Sequence, residues 1–507
     1  MLNLTSFRPR ICRLPGGAVS TLAEVPPANA PLAPHSLVRA IAWTGAARWA
    51  TQLLTWASTI VVARILVPSD YGLYAMATLF LGLVALISEF GLGQAVVVLR
   101  EMSQDHVEQI NALSVGFGGL LFLLSCGAAI PLGHFFHTAK LPAVIVVMSL
   151  SFVISGAQVV PDALLQRSLR FKLLAWLDII RAFTQAPMTI LLAWLGFGYW
   201  SLALGSLAGV IVYTALTLSA CPCAFARPRF GEIRRALAFS GDVLGSRVAW
   251  YIYSNSDFLM AGRLLGQAPL GTYTLAWTMA STPVEKITNM VTRVTPAFFS
   301  AVQHDKAQLR RYLLNISEGL SLITFPASLG MVLMADQFVL GVLGAKWAAA
   351  VVPLQLLGIY AALRSITTVF PGILYARRHS RFVMWNTVIA AVIFPLAFQF
   401  TSRWGTVGIA ATWIVLYPLI TAPFMWRTFV AIDLPFRTYC RSLKPALRAS
   451  LIMILGVVAV RWAMPAWPLI LRLATSIFAG AFTYLAVLLI ADRQRLRGFY
   501  ALLRTRS

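Results

Sequence analysis

The sequence predicts an all-α polytopic membrane protein of about 14 transmembrane helices, arranged as two pseudo-symmetric six-helix lobes plus a C-terminal helix pair. Three observations carry that expectation. Apolar runs of about twenty residues recur along nearly the whole 507-residue chain, each long enough to cross a ~30 Å hydrocarbon core. Basic residues gather in short loops on alternate sides of successive runs, as positive-inside topology requires. Finally, a helix–turn–helix stretch returns 199 positions later: Arg48, Arg64, Gly72, Tyr74 and Ala77 match Arg247, Arg263, Gly271, Tyr273 and Ala276 without a gap. Two related halves with a site between them is a common transporter plan.

Composition sets the bounds. The chain is 59% hydrophobic and only 11% charged, with mean hydropathy +0.77, which excludes an ordinary soluble domain. A net charge of +24 could suggest nucleic acid, but the cations are dispersed through loops between apolar runs, so no nucleic-acid partner is expected. Counted by position, 28 basic residues fall on one side, seven on the other and six within helices. That imbalance puts both termini in the cytoplasm. The five cysteines are scattered, and Cys221 and Cys223 lack a second pair to complete a metal site; they read as free thiols.

In order, residues 1–36, Pro- and Ala-rich and without the apolar core of a signal peptide, are expected to be a disordered cytoplasmic lead or the product of a start codon placed too early. The N-lobe, 37–222, holds helices near 38–66, 71–98, 109–130, 142–163, 174–195 and 200–220, the last two joined by the tight GFGYW turn. A cytoplasmic connection, 223–240, carries Arg227, Arg229, Arg234 and Arg235. The C-lobe, 241–428, repeats the pattern near 241–265, 270–295, 313–335, 350–373, 382–402 and 405–426, and its RWGTVG turn is similar to the helix 5–6 turn. A basic connection from Arg427 to Arg448 leads to an extra pair near 448–464 and 468–491 within 429–491, then to a basic cytoplasmic tail, 492–507.

Several of these helices carry a polar stripe. Arg48, Gln52, Thr55 and Thr59 are spaced four, three and four on helix 1, and share one face. Helix 8 has Thr278, Thr282, Lys286, Asn289 and Arg293; helix 7 adds Arg247, Tyr251 and Ser254. A cation near mid-membrane costs ~2.5–3.5 kcal/mol, so such faces should look into protein or a wet cavity. Arg48, Gln52, Arg247, Tyr251, Lys286, Asn289 and Arg293 are therefore the expected lining of a cationic lumen. The bland alternative is that the bases pair with intramembrane acids, counted as Glu89, Asp178, Asp257, Glu285 and Glu318, and pin helices together. Asp178 and Arg181, three apart on helix 5, are the candidate structural ion pair. Glu89 and Asp257 are candidates for a coupling Na⁺ or proton, with helix pairing as the alternative. Arg64 and Arg263 close the first helix of each lobe and are expected to snorkel; Arg364 has no stripe and no assigned role. The HFFH around His134 and His137 lacks a third ligand, so no metal is expected, nor any cofactor.

At ARILVPSDYGLYAMATL, followed by EFGLGQA, the chain resembles the polysaccharide-transporter branch of the multidrug/oligosaccharidyl-lipid/polysaccharide (MOP) exporter superfamily, which includes the Wzx-type flippases. The resemblance covers essentially residues 37–491. It implies a protein of the bacterial inner membrane that is not an enzyme. Its expected work is to flip undecaprenyl-diphosphate-linked O-antigen or exopolysaccharide units to the periplasmic leaflet, alongside other polysaccharide assembly proteins. Arginine suits a diphosphate, having a planar fork and a permanent charge. A MATE-like multidrug antiporter would want an acid-dominated lumen instead. A lipid II flippase is not separated by charge. A polymerase or ligase would carry a large outer loop, and every outer loop here is short.

Overall fold

The computed structural model describes residues 51–88, 93, 96, 104–226, 241–464 and 466–491; the side chains of 88, 241–247, 293, 294, 296, 297 and 491 lie outside the description. It confirms the helical fold class, and the described residues contain no strand. The long helices are α1 (51–65), α2 (Pro68–Ser88), α3 (Gln104–Phe135), α4 (Leu141–Arg167), α5 (Phe171–Trp194), α6 (Trp200–Ala220) and α7 (Gly241–Met260). They continue as α8 (Gln267–Ala301), α9 (Lys306–Gln337), α10 (Val351–Thr367), α11 (Ser380–Thr401), α12 (Gly405–Ala431), α13 (Phe436–Ala463) and α14 (Leu469–Ala491). Nine described stretches are long and apolar enough to cross a membrane, one of them, Ser380–Ala431, containing both α11 and α12. The helices α5, α7 and α8 are not among them, because they carry the polar residues described above.

The chain divides into two compact units, Met1–Tyr251 and Ile252–Ser507. Within the first, α3 lies on α4, α5 on α6, and α4 touches both α2 and α6. Within the second, α9 lies on α10, α11 on α12, and α10 touches both α8 and α12. These four pairings recur six helices later, which is the duplication expressed as packing. Glycines let the pairs close. A Cβ on Gly118 would meet the Phe152 carbonyl oxygen at 2.4 Å, and one on Gly156 would meet that of Ser114 at 2.7 Å. Small residues at helix crossings are how membrane helices gain dispersion contacts where no hydrophobic force drives them together.

The repeated corner is built differently in its two copies. In the first, Val67 interrupts the chain between α1 and α2, and its N–H donates to Asp70 Oδ2 at 3.3 Å, an acidic cap on the start of α2. Tyr71 ties α2 back to α1 through the Thr59 carbonyl. In the second, a π-helical turn, Ala261–Leu265, leads to Gly266 at φ +88°, a conformation open to glycine and strained for other residues. The helix 5–6 and 11–12 turns agree more closely, each passing through a positive-φ glycine, Gly198 and Gly405.

Hydropathy located the oily part of each helix and missed its ends. Where 109–130, 270–295 and 313–335 were expected, α3, α8 and α9 run to 32, 35 and 32 residues. The expected basic connection from Arg427 to Arg448 is largely helix: α12 extends to Ala431 and α13 begins at Phe436. Long basic side chains keep their heads in water while their stems cover apolar surface, so a helix continues through residues that a hydropathy window reads as a loop. The terminal pair packs on α9, where Ala449, Met453, Val457, Tyr484 and Leu488 form a buried cluster and Tyr484 donates to the Leu322 carbonyl at 2.6 Å. At the α12–α13 turn, Lys306 reaches Asp433 at 2.8 Å.

Candidate functional site

In the second unit the polar residues form two linked centres. Asp257 on α7 is fully buried, and its Oδ2 accepts from the Tyr273 hydroxyl at 2.6 Å and from Trp413 Nε1 at 3.0 Å. No side chain donates to its other oxygen, Oδ1. Aromatic rings enclose the group: Trp413 stacks on Phe394 at 4.6 Å and on Tyr360 at 4.8 Å, with Trp277 at 5.6 Å and Tyr253 at 5.9 Å. One turn along α10 from Tyr360, Arg364 Nη1 meets Glu285 Oε1 of α8 at 2.7 Å. Ser281, Thr288, Ala361 and Ser365 surround that pair, and Thr324 of α9 hydrogen-bonds Ser365. Arg364, unassigned from sequence, is thus a helix-pairing base, the bland reading realised at this position.

The α8 helix presents a second polar face. Lys286 and Asn289 are exposed, and among the described residues no hydrogen bond or ion pair reaches either. Thr278, on the same stripe, turns its hydroxyl back to the Thr274 carbonyl. Glu285 and Lys286 are neighbours in sequence, but the acid faces α10 and the base faces outward.

The first unit has its own polar cluster. Tyr213 on α6 donates to Asp162 of α4 at 3.1 Å, while the Arg181 guanidinium lies over the Tyr213 ring, 5.7 Å from its centroid. The second copy of the repeated tyrosine, Tyr273, anchors a buried carboxylate. On α1, Gln52 is half-buried, whereas Thr55 and Thr59 bond the carbonyls of Thr51 and Thr55. Tyr251 donates to the Leu79 carbonyl at 2.6 Å and packs on Gly82, so its hydroxyl anchors α7 to α2 within this unit.

Of the other expected site residues, Arg48 and Glu89 lie outside the described residues, and so do the side chains of Arg247 and Arg293. Two acids escaped the sequence reading. Asp162 lies inside the last turn of the expected helix 4 but is absent from the acid count, and Asp336 stands one residue past the expected end of helix 9, which the longer observed helix takes in. Asp336 pairs with Arg461 of α13 at 2.5 Å, and Arg461 also donates to the Leu333 carbonyl. A polar residue a turn from a hydropathy boundary, with an opposite charge at another boundary, was the available signal. Among the described residues, Cys126, Cys221, Cys223 and Cys440 are free thiols, and no group of three metal-ligating side chains occurs.

Helices of this length and polarity, duplicated and paired through glycines, define a multi-span membrane protein of the transporter class. Its fold is shared with the lipid II flippase MurJ in an inward closed conformation: TM-score 0.69, 14% identity, 89% of this chain and 99% of that one. Residues 61–352, more than half of the chain, match the family model for polysaccharide biosynthesis proteins, and the chain belongs to that family. The succinoglycan biosynthesis transport protein ExoT of Rhizobium meliloti is 26% identical over 93% of this chain and 96% of its own length. The lipopolysaccharide biosynthesis protein WzxC of Escherichia coli is 26% identical over 62% of this chain and 65% of its own.

Proposed function

We propose that the protein moves undecaprenyl-diphosphate-linked oligosaccharide units from the cytoplasmic to the periplasmic leaflet of the bacterial inner membrane, with both of its termini in the cytoplasm. The observation that carries this reading is the near end-to-end similarity to a succinoglycan biosynthesis transport protein, within a family devoted to polysaccharide biosynthesis. The two related halves alternate access, and Arg48, Gln52, Arg247, Tyr251, Lys286, Asn289 and Arg293 line the path for the diphosphate and sugar hydroxyls. Lys286, exposed on a mid-helix face and without a partner among the described residues, supports a wet path, because hydrocarbon disfavours a lone ammonium. The protein's work is transport rather than bond-making.

Asp257 is better suited to a proton than to Na⁺. An O–H from Tyr273 and an N–H from Trp413 point at its Oδ2, whereas a hard cation needs several oxygen ligands. Asp178 and Arg181 remain structural in this reading.

The decisive experiment replaces the chromosomal gene with Arg48→Gln/Arg247→Gln and checks membrane insertion. Export of surface polysaccharide should fall at least tenfold, with its lipid-linked precursor accumulating on the cytoplasmic leaflet. Unchanged export in a correctly inserted variant would refute the cationic path. Accumulation of peptidoglycan precursor in a gene deletion would instead assign the protein to lipid II.

A further inference from the structure

The first three turns of α13 carry Arg437, Arg441 and Lys444, spaced four and three, on one helical face. All three are exposed, and among the described residues no hydrogen bond or ion pair reaches any of them. Three other cations of this end are held by the protein, Lys306 by Asp433, Arg310 by the Ile432 carbonyl and Arg377 by the Gln303 carbonyl, whereas Arg311, Arg378 and Arg381 are exposed without lying along an apolar groove of this kind. Along the same face the cations give way to Leu447, Leu451 and Ile452, and together with Cys440 and Arg448 these residues line a groove of about 590 Å³. Behind the face, Tyr439, Leu443, Ala446 and Ala449 are buried in the core, so this side of α13 cannot rotate inward.

Length places the groove in depth. At 1.5 Å per residue the 28 residues of α13 span ~42 Å, against a hydrocarbon core of ~30 Å. Because Arg461 is held near the far end by Asp336, the surplus of roughly 12 Å falls mainly on the basic end. Arg437 to Lys444 covers about 10 Å of rise, within that surplus of roughly 12 Å, and Leu447, Leu451 and Ile452 then stand at acyl-chain depth. The arrangement is cationic where phosphate sits, apolar where fatty acid sits, and open on its outer side.

We propose that this face of α13 is a binding site for an anionic glycerophospholipid of the adjoining leaflet, with the phosphate on Arg437, Arg441 and Lys444 and an acyl chain along Leu447, Leu451 and Ile452. Charge complementarity selects this occupant: among the described residues no acid answers the three cations, and a diester phosphate supplies the opposite charge. The site shares no residue with the proposed transport path and stands whether or not that path carries lipid-linked sugar.

The test uses the full-length protein in phosphatidylcholine bilayers with and without phosphatidylglycerol, free of any polyprenyl lipid. Cys440, within the groove, is left as the single thiol by Cys12→Ser, Cys126→Ala, Cys221→Ala and Cys223→Ala. Phosphatidylglycerol should slow its alkylation and appear as a retained adduct in native mass spectrometry. Each cation near a lipid surface strengthens binding by a factor of about five, so Arg437→Gln/Arg441→Gln/Lys444→Gln should weaken retention on the order of a hundredfold. Arg437→Lys/Arg441→Lys should retain it, and Arg441→Gln alone, safe if the triple variant fails to insert, should show the fivefold step. Equal protection by phosphatidylcholine, adducts undiminished by charge removal, or protection only on adding a polyprenyl diphosphate would each overturn the proposal.

Discussion

Arg364 shows how far a single residue's role is set by a neighbour remote in sequence. Its partner Glu285 is 79 positions away, on a helix whose other face is exposed and cationic. The side chains of the pair are 25% and 37% exposed, between the surface case, worth about 0–1 kcal/mol, and the buried case, where a broken pair costs about 3–5 kcal/mol. Arg364→Met should therefore lower stability by about 1–3 kcal/mol. Arg364→Met/Glu285→Met should recover most of the loss, as read from melting temperatures in one detergent. A double variant no better than the single would mean that Arg364 acts through something other than Glu285. Asp257 was identifiable from sequence as an acid in an apolar run. Its cradle was not, because Trp413 lies 156 positions later on a helix with no polar pattern of its own.

Secondary structure is where periodicity served best. The stripe on α8 was readable because a 3.6-residue period groups Lys286 with Asn289, and both are exposed as that grouping requires. Helix ends were unreadable because hydropathy reports solvent preference, and a helix does not stop where the oil stops. Glycine packing depends on the partner each glycine meets. On α3, a Cβ at Gly118 collides with the α4 backbone, while Gly116 and Gly119 have nothing within 4 Å. Gly118→Ala should thus force α3 and α4 apart, destabilising by about 1–3 kcal/mol, whereas Gly116→Ala and Gly119→Ala should be neutral. Thermal melting of the three variants side by side decides it; equal effects would remove the α3–α4 crossing as the cause.

At the scale of the whole molecule, the duplication was the most legible feature, since five residues in register implied two bundles and the packing of each unit repeats the other. Which side chains face a transport path was less so, because periodicity fixes a face without saying what lies opposite. The proposed cargo gives the membrane itself a role. Carrying about two negative charges outward through ~100 mV, inside negative, releases ~4.6 kcal/mol. Dissipating the potential in inverted or right-side-out vesicles while holding pH equal on both sides should then abolish accumulation of the lipid-linked unit on the far leaflet. If only collapse of the pH gradient stops transport, the proton at Asp257 is the driver and the electrical term is secondary.

The two corners, one braced by an acidic cap and the other by a glycine hinge, are no longer spare parts for each other. Grafting Val67 into the place of Gly266 would put a β-branched residue at φ +88°, and the reverse graft would exchange Asp70 for Pro269 and discard the brace. Ancestry survives in the course of the backbone, but gene conversion between the halves is closed at this joint. Each copy has been free to drift only within its own solution to the bend.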